Sequence, residues 1–207
     1  MPSNLAANFP IISDQIKRPA LEVVLANLEK VLRTGVEGDV VEFGCYIGTT
    51  SLFIRRLLDA HGQSDTRQFH VYDSFEGLPP KSPQDNSPVG ADFKAGELSV
   101  SKKQLQVEFA RARLRAPIVH KGWFGKLQGG DVPQHIAFAF LDGDFYGSIF
   151  DSLKLVWPRM AAGGIICFDD YKRDALPGVE RAVHDYFQGK PPEVRVAHNI
   201  GVLRVPG

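Results

Sequence analysis

The stretch Ile136-Ala-Phe-Ala-Phe-Leu-Asp142-Gly-Asp144 decides the fold. Its apolar part lacks the polar alternation of a strand that has one face in water, so it predicts a strand buried on both faces of a parallel sheet. A second apolar run, Ile165–Phe168, ends on the acidic pair Asp169-Asp170. Between the two runs, apolar residues recur with the spacing of one face of a helix. The unit is therefore predicted as a strand, a helix and a parallel strand.

The same alternation extends towards the N-terminus. Asp39–Phe43 and Phe69–Tyr72 are predicted as strands, and a helix from about Thr49 to Ala60 lies between them. Strands that alternate with helices imply right-handed crossovers and a mainly parallel sheet covered on both faces. The other predicted elements are a helix around Leu21–Leu32, a helix opened by the capping box Ser101 and Gln104, a strand at Pro117–His120, a helix around Ile149–Met160 and a helix around Val179–Phe187.

The last part of the chain predicts an antiparallel hairpin. Its strands are Glu193–Ala197 and Val202–Val205, separated by His198–Gly201. Five parallel strand–helix units followed by this hairpin make a doubly wound, mainly parallel seven-stranded α/β sheet with helices on both faces. The length of 207 residues fits a single domain over residues 1–207, with an N-terminal helical segment at 1–37.

Composition excludes several classes of protein. The 24 Lys and Arg residues balance 24 Asp and Glu residues, so the overall basic excess of a general nucleic-acid binder is absent. No apolar stretch approaches the roughly 20 residues that span a bilayer, and the N-terminus lacks the pattern of a signal peptide. The two cysteines, Cys45 and Cys167, are expected to be buried thiols in a reducing compartment. We therefore expect a cytoplasmic protein without a membrane or nucleic-acid partner.

The segment from Ser74 to Val100 has no clear helix or strand pattern and is rich in Pro, Gly, Ser and Asp. A stretch of this length is uncommon inside a compact domain and often forms a lid or a binding loop. We expect residues 74–100 to form a lid, in which Asp92–Gly96 closes over a bound ligand. A mobile surface loop without this role is the alternative.

Ligands of open α/β sheets bind beyond the carboxyl ends of the strands, and the residues there have a suggestive pattern. Glu42, Gly44 and Gly48 surround the turn after the first predicted strand, and Asp73 ends the second. Glycines let a ligand approach the backbone, and a carboxylate can accept hydrogen bonds from the hydroxyls of a ribose. The set suits a nucleoside whose far end carries an amino-acid-like group, although each residue alone also fits an ordinary turn. Neither a dinucleotide GxGxxG nor a Walker sequence is present, which disfavours nicotinamide dehydrogenases and P-loop enzymes.

Four carboxylates follow two successive strands: Asp142 and Asp144 after one, Asp169 and Asp170 after the next. If those strands are neighbours at about 4.8 Å, the four groups gather at one edge of the sheet. Crowded like charges raise one another's pKa, and a hard divalent cation such as Mg²⁺ would offset them. Solvated loop acids or helix caps are the alternative interpretation.

These motifs resemble the macrocin O-methyltransferase family. The resemblance rests on Asp73–Pro79, Lys121–Phe124, Asp142–Tyr146 and Asp169–Tyr171, and it covers about residues 38–190. Members of that family are Rossmann-like class I methyltransferases that use S-adenosylmethionine. They methylate sugar hydroxyls on natural products with help from Mg²⁺.

The resemblance implies a role for each matching residue. Asp144 would be the general base, and Asp142, Asp169 and Asp170 would ligate the metal. It also implies a small-molecule hydroxyl acceptor and a possible homodimer or larger homo-oligomer. One residue departs from the pattern, because relatives often carry glycine in place of Thr49. The implied cofactor-binding residues are Glu42, Gly44, Gly48, Thr49, Asp73, Gly122, Trp123 and Asp142.

Two other functions fit the same residues. A catechol or phenol O-methyltransferase also places acidic metal ligands after the fourth and fifth strands. A module that binds the cofactor without turnover would keep the glycine loop, but it would have little need for four crowded acids.

Overall fold

The computed structural model describes residues 2–90 and 93–207. Within these ranges the strands are β1 (Asp39–Phe43), β2 (Phe69–Asp73), β3 (Ile118–Lys121), β4 (Ile136–Leu141), β5 (Met160–Phe168), β6 (Val194–Ala197) and β7 (Ile200–Arg204). The α-helices are α1 (Pro2–Asn8), α2 (Arg18–Arg33), α3 (Thr49–Ala60), α4 (Lys102–Arg111), α5 (Tyr146–Val156) and α6 (Gly178–Tyr186). Short 3₁₀ turns lie at Pro83–Asp85, Phe124–Lys126, Gly129–Asp131 and Trp157–Arg159.

The strands form one seven-stranded sheet in the order β3-β2-β1-β4-β5-β7-β6. Strands β1 to β5 are parallel, whereas β7 runs antiparallel to both β5 and β6. The predicted doubly wound sheet with a C-terminal hairpin is therefore confirmed. The strand order reverses between β1 and β4, which is where ligands bind in sheets of this kind.

Helices cover both faces of the sheet, as the unbroken apolar run in β4 predicts. Helices α2, α3 and α4 pack on one face, and α5 and α6 pack on the other. All six residues of β4 are buried. Helix α4 begins with the predicted capping box, in which the Ser101 side chain accepts from the backbone N–H of Gln104.

The register brings the carboxyl ends of the central strands level with one another. Phe43 of β1 lies opposite Leu141 of β4, and Leu141 lies opposite Phe168 of β5. The residues that follow these positions therefore meet at one edge of the sheet. Backbone hydrogen bonds continue past the strand ends, from Asp142 N to Phe43 O (2.8 Å) and from Asp169 N to Leu141 O (3.0 Å).

Several element boundaries differ from the sequence prediction, most of all at the hairpin turn and at the start of β5. The hairpin turn consists of His198 and Asn199 alone, since β7 already begins at Ile200. Both turn residues have positive φ (50° and 66°), as a two-residue type I′ turn requires. The usual Asn-Gly signal is absent, so the predicted turn was too long. Strand β5 also begins earlier than predicted: Met160, predicted in the helix around Ile149–Met160, pairs with Ile136 across a register shift, and α5 ends at Val156.

No helix in the part of the chain that the structure describes is long and apolar enough to span a membrane.

Candidate active site

A cavity opens at the carboxyl ends of the parallel strands, with about 740 Å³ of space that includes its solvent-filled mouth. Each of these strands places a residue in its wall just beyond or at its last position. The five residues, in the order β1 to β5, are Gly44, Asp73, Trp123, Asp142 and Asp169. All five were predicted as site residues, and the sheet brings them together.

Gly44 allows β1 and β4 to approach closely at the centre of the site. Its φ is +87°, and a Cβ there would lie 1.8 Å from the backbone oxygen of Asp142. No side chain fits such a gap, and residues other than glycine rarely adopt this φ. The close contact therefore depends on a glycine at this position.

Asp73 joins two loops around the cavity. Its Oδ2 accepts hydrogen bonds from the backbone N–H groups of Cys45 (2.9 Å) and Tyr46 (3.2 Å). Its Oδ1 accepts from the N–H of Phe75 (2.7 Å), at the start of the long loop. Oδ2 also accepts a 3.5 Å hydrogen bond from the Cys45 thiol, whereas Oδ1 has one donor and keeps capacity for a further one.

Four of the predicted cofactor residues do not line the cavity. Glu42 is buried in β1, 1% exposed, where it accepts a 2.5 Å hydrogen bond from Ser51 Oγ. Burial raises the pKa of Glu42 to about 8, and nearby Asp73 adds to the rise, while the Ser51 hydrogen bond lowers it. Thr49 Oγ1 is hydrogen-bonded to Ser13 Oγ (2.9 Å). The role of these residues in cofactor binding stays a prediction, as it does for the two glycines outside the cavity wall, Gly48 and Gly122.

The four predicted carboxylates, Asp142, Asp144, Asp169 and Asp170, all line the cavity. Burial is the main cause that raises the pKa of Asp142 and of Asp169 well above the ordinary range. The negative charges of the neighbouring carboxylates raise both further. A hydrogen bond with Asp142 acts in the opposite direction on the Asp169 pKa.

Asp144 lies between opposing charges. Burial raises its pKa to about 7, with an added contribution from the carboxylate of Asp170. The cations Arg173 and Lys81 act against this rise. Arg173 also donates to both carboxylate oxygens of Asp170, at 3.1 and 3.3 Å. A carboxyl with a pKa near neutrality can give or take a proton at physiological pH.

Strained backbone is concentrated around the cavity. Five of its lining residues are not glycine and yet have a φ between 48° and 61°. Such conformations cost of the order of 1–3 kcal/mol each and persist where the surrounding structure imposes them, which is common at active sites. These residues are Tyr46, Phe93, Leu98, Asp144 and Asp170.

The raised pKa of Asp144 predicts that the ligand-free protein loses stability as the pH rises. The folded protein holds this proton up to about pH 7, whereas an unfolded chain releases it near pH 4. Between these values the folded state binds more protons, so the free energy of unfolding falls with rising pH. Urea unfolding at pH 5 and pH 8 should show that Asp144→Asn loses less stability than the wild type, by on the order of 2 kcal/mol. Parallel pH profiles for the two proteins would contradict this.

The loop of residues 74–100 forms much of the cavity wall. Leu78 N donates to Glu97 O and Gly96 N donates to Leu78 O, both at 2.9 Å, so the two ends of the loop are joined. Leu78, Phe93 and Leu98 line the cavity. Asp92 of the predicted lid lies outside the described residues. Whether the loop opens and closes stays a prediction.

Several lining residues have no counterpart among the predicted site residues. Tyr46 lies between the two glycines of the first loop, and Arg173 follows the second acidic pair, so proximity to those motifs could have indicated them. Gln15 reaches the cavity from the segment between α1 and α2, and no local signal indicates it.

Within residues 2–90 and 93–207, no group of three or more His, Cys, Asp or Glu side chains is placed so that it could hold a metal ion. The acids share a cavity, but the predicted ligand set Asp142, Asp169 and Asp170 stays a prediction.

Comparison with known proteins identifies the family. A model of the macrocin O-methyltransferase (TylF) family matches residues 12–195. The chain belongs to this family. The match extends beyond the region on which the sequence resemblance rests, and it includes the segment that carries Gln15.

Two relatives of the chain are named as O-methyltransferases. The chain is 38% identical over 172 residues to the 8-demethyl-8-(2,3-dimethoxy-alpha-L-rhamnosyl)-tetracenomycin-C 4'-O-methyltransferase of Streptomyces olivaceus, which covers 77% of the chain. It is 35% identical over 167 residues to the mycinamicin III 3''-O-methyltransferase of Micromonospora griseorubida, also over 77% of the chain. The matches cover only 61% and 64% of those relatives.

Solved structures of methyltransferases share the fold. The O-methyltransferase NovP superimposes with a TM-score of 0.79 at 26% identity, over 99% of this chain and 87% of NovP. The calicheamicin methyltransferase CalS11 has a TM-score of 0.70 at 19% identity, over 98% of this chain and 89% of CalS11. The second similarity concerns the fold alone.

Proposed function

We propose that this protein transfers a methyl group from S-adenosylmethionine to a hydroxyl of a small molecule, namely a sugar of a natural product. The observation that carries the proposal is the cavity at the switch point of the sheet, to which all five parallel strands contribute. The relative from Streptomyces olivaceus is named for a rhamnosyl-bearing substrate, which supports a sugar acceptor.

The cavity suits a nucleoside joined to an amino acid. Asp73 retains acceptor capacity for the hydroxyls of a ribose, and the rings of Trp123 and Phe124 offer an apolar wall for adenine. Gly44 lines the same cavity beside Asp73 and Asp142. These features support S-adenosylmethionine as the cofactor.

Asp144 is proposed as the general base. S-adenosylmethionine, when bound, supplies a sulfonium methyl group that is open to in-line attack by an acceptor oxygen. An alcohol attacks poorly because it holds its proton tightly, so a base beside the hydroxyl is needed. Asp144 has a pKa of about 7, close to the working pH, and can take that proton as the bond to the methyl carbon forms. Asp144 lines the cavity, and its backbone has a left-handed φ of 56°.

We also propose that Mg²⁺ assists the reaction. The donor set fits this ion in its chemistry, because Asp142, Asp169 and Asp170 offer carboxylate oxygens whose mutual repulsion a cation would relieve. A bound cation would have to draw these side chains together, because no ready-made group of ligands is present among the described residues. Mg²⁺ at this position would lower the pKa of the acceptor hydroxyl.

Removal of divalent metal should abolish methyl transfer and leave the fold intact. We expect a chelator to reduce the activity to background and added Mg²⁺ to restore it. Calorimetric titration with Mg²⁺ should detect binding to the wild type that Asp169→Asn weakens by about tenfold or more. As a matched control, Asp65→Asn changes an exposed acid paired with Arg115 and should bind Mg²⁺ normally. Undiminished activity with chelator would remove the metal from the mechanism.

A panel of acceptors tests the proposed function. Incubation with S-adenosylmethionine and either sugar-bearing or phenolic acceptors, followed by mass spectrometry, should show methylation of a sugar hydroxyl. Methylation of phenols alone would favour the catechol-type alternative. Cofactor binding without transfer to any acceptor would favour a binding module.

A further inference from the structure

Asp85 is a buried carboxylate outside the cavity wall. It lies in the long loop, is 4% exposed and contacts two parts of the chain. Its Oδ2 accepts from Ser82 N (2.8 Å) and Ser82 Oγ (2.6 Å), which belong to the same loop. Its Oδ1 accepts from the backbone N–H of Tyr146 (2.7 Å), 61 positions away. Asp85 therefore links the loop to the start of α5.

Helix α5 depends on this link for its N-terminal cap. Tyr146 is its first residue, and Phe145 at the N-cap position makes no side-chain hydrogen bond. The first amides of a helix have no partner within the helix. Asp85 supplies an acceptor from outside, and its negative charge suits the positive end of the helix dipole.

The packing around Asp85 leaves space for this carboxylate and little else. A Cβ on Gly178, the first residue of α6, would lie 1.9 Å from Asp85 Oδ1 and 2.8 Å from Tyr146 N. The absence of a side chain at Gly178 thus permits the hydrogen bond between Asp85 and Tyr146. The first residues of α5 and α6 both lie next to the Asp85 carboxylate.

The turn that Asp85 holds carries the proposed base. Asp144 has a φ of +56°, and the next amide, Phe145 N, donates to Gly143 O at 2.6 Å. Strain of this kind persists only where surrounding contacts impose it. The bond at Tyr146 N lies two residues beyond Asp144 and ties the end of this turn to Asp85.

We propose that Asp85 is a positioning residue, which fixes the turn from Asp142 to Tyr146 so that Asp144 faces the acceptor. This inference rests on the proposed methyl transfer. Asp85 acts through the Tyr146 amide and does not itself touch the cavity.

The loop also offers a matched control. Ser87 Oγ donates to the backbone oxygen of Asp174 (2.6 Å), so Ser87 anchors the same loop without touching the turn. Asp85→Ala should lower kcat by about tenfold or more, since small displacements of a reacting group are costly, and leave the KM for S-adenosylmethionine within about twofold. Ser87→Ala should keep kcat within about twofold. By NMR, exchange of the Tyr146 amide should accelerate in Asp85→Ala and not in Ser87→Ala.

Changes on the donor side isolate the hydrogen bond. Proline has no N–H and is tolerated as the first residue of a helix, and Phe145 before it is already extended (ψ 153°). Both Tyr146→Pro and Tyr146→Ala remove the tyrosine side chain, but only Tyr146→Pro also removes the N–H. We therefore expect a lower kcat for Tyr146→Pro than for Tyr146→Ala. Adding Asp85→Ala to Tyr146→Ala should lower kcat by the same factor as Asp85→Ala lowers it in the wild type. Adding Asp85→Ala to Tyr146→Pro should leave kcat unchanged, because the hydrogen bond is already absent. Asp85→Asn keeps an oxygen for Tyr146 N and should retain kcat within about threefold.

Several results would overturn the inference. One is a normal kcat in Asp85→Ala, and another is an equal loss of kcat in Ser87→Ala. A third is a loss of kcat in Asp85→Asn as large as in Asp85→Ala. The fourth is that Asp85→Ala lowers kcat by the same factor in the Tyr146→Ala and Tyr146→Pro backgrounds. If Asp85→Ala does not fold, Asp85→Asn and the comparison of Tyr146→Pro with Tyr146→Ala decide the outcome. A wild type that transfers no methyl group would instead refute the proposed function, and the inference with it.

Discussion

Replacing Asp144 with Asn should lower the rate of methyl transfer by a factor of about 10²–10⁴, the usual contribution of a well-placed general base. The amide is close in size to the carboxyl and cannot take a proton at neutral pH. The contacts of the cofactor lie at Gly44, Asp73 and Trp123 in the proposed arrangement, so the affinity for S-adenosylmethionine should change by less than about twofold. Single-turnover rates and calorimetric titration measure the two quantities.

The control for this substitution is Asp65→Asn, which removes the same charge at an exposed ion pair with Arg115. It should leave both the rate and the cofactor affinity unchanged. Full activity in Asp144→Asn would contradict the assignment of the base. A loss of activity that follows entirely from lost cofactor binding would also contradict it.

Replacing Gly44 with Ala should destabilise the protein by about 3 kcal/mol or more, and the variant should fail to bind the cofactor. Two costs add at this position. A positive φ costs an alanine about 1–2 kcal/mol. The new Cβ would also meet the backbone oxygen of Asp142 at 1.8 Å, which forces β1 and β4 apart. Urea unfolding gives the change in the free energy of unfolding.

Gly35 separates these two costs. It has a similar φ of +70°, but a Cβ built there meets no atom within 4 Å. Gly35→Ala should therefore cost only about 1 kcal/mol and leave cofactor binding intact. Equal changes in the free energy of unfolding for the two substitutions would show that the close approach of the strands at Gly44 does not add to the cost.

The strands of the sheet could be predicted because strands that are buried on both faces have a recognisable apolar sequence. The apolar runs in β4 and in the second half of β5 have no polar face, and that pattern requires helices on both sides. Strands β1 and β4 have the predicted bounds, Asp39–Phe43 and Ile136–Leu141. The length of the hairpin turn was harder to predict, because His198 and Asn199 adopt a left-handed conformation that their sequence does not strongly indicate.

Part of the site could be predicted from strand order alone. In a parallel sheet the carboxyl ends share one edge, so Asp142 and Asp169 had to lie close together once β4 and β5 were neighbours. Gln15 was missed because it reaches the cavity from the segment between α1 and α2, whose course depends on contacts distant in sequence. Asp85 was also missed for this reason, since its partner Tyr146 is 61 positions away.

The most direct test of the account is a crystal structure of the protein with S-adenosylhomocysteine and Mg²⁺. We predict that the ribose contacts Asp73, that the adenine packs on Trp123, and that the sulfur points towards the carboxylates. The cation should be bound by Asp142, Asp169 and Asp170, with Asp144 free to face an acceptor. A cofactor bound outside this cavity, or a cation held elsewhere while these carboxylates remain without metal, would contradict the central claim that this edge of the sheet is the site of methyl transfer.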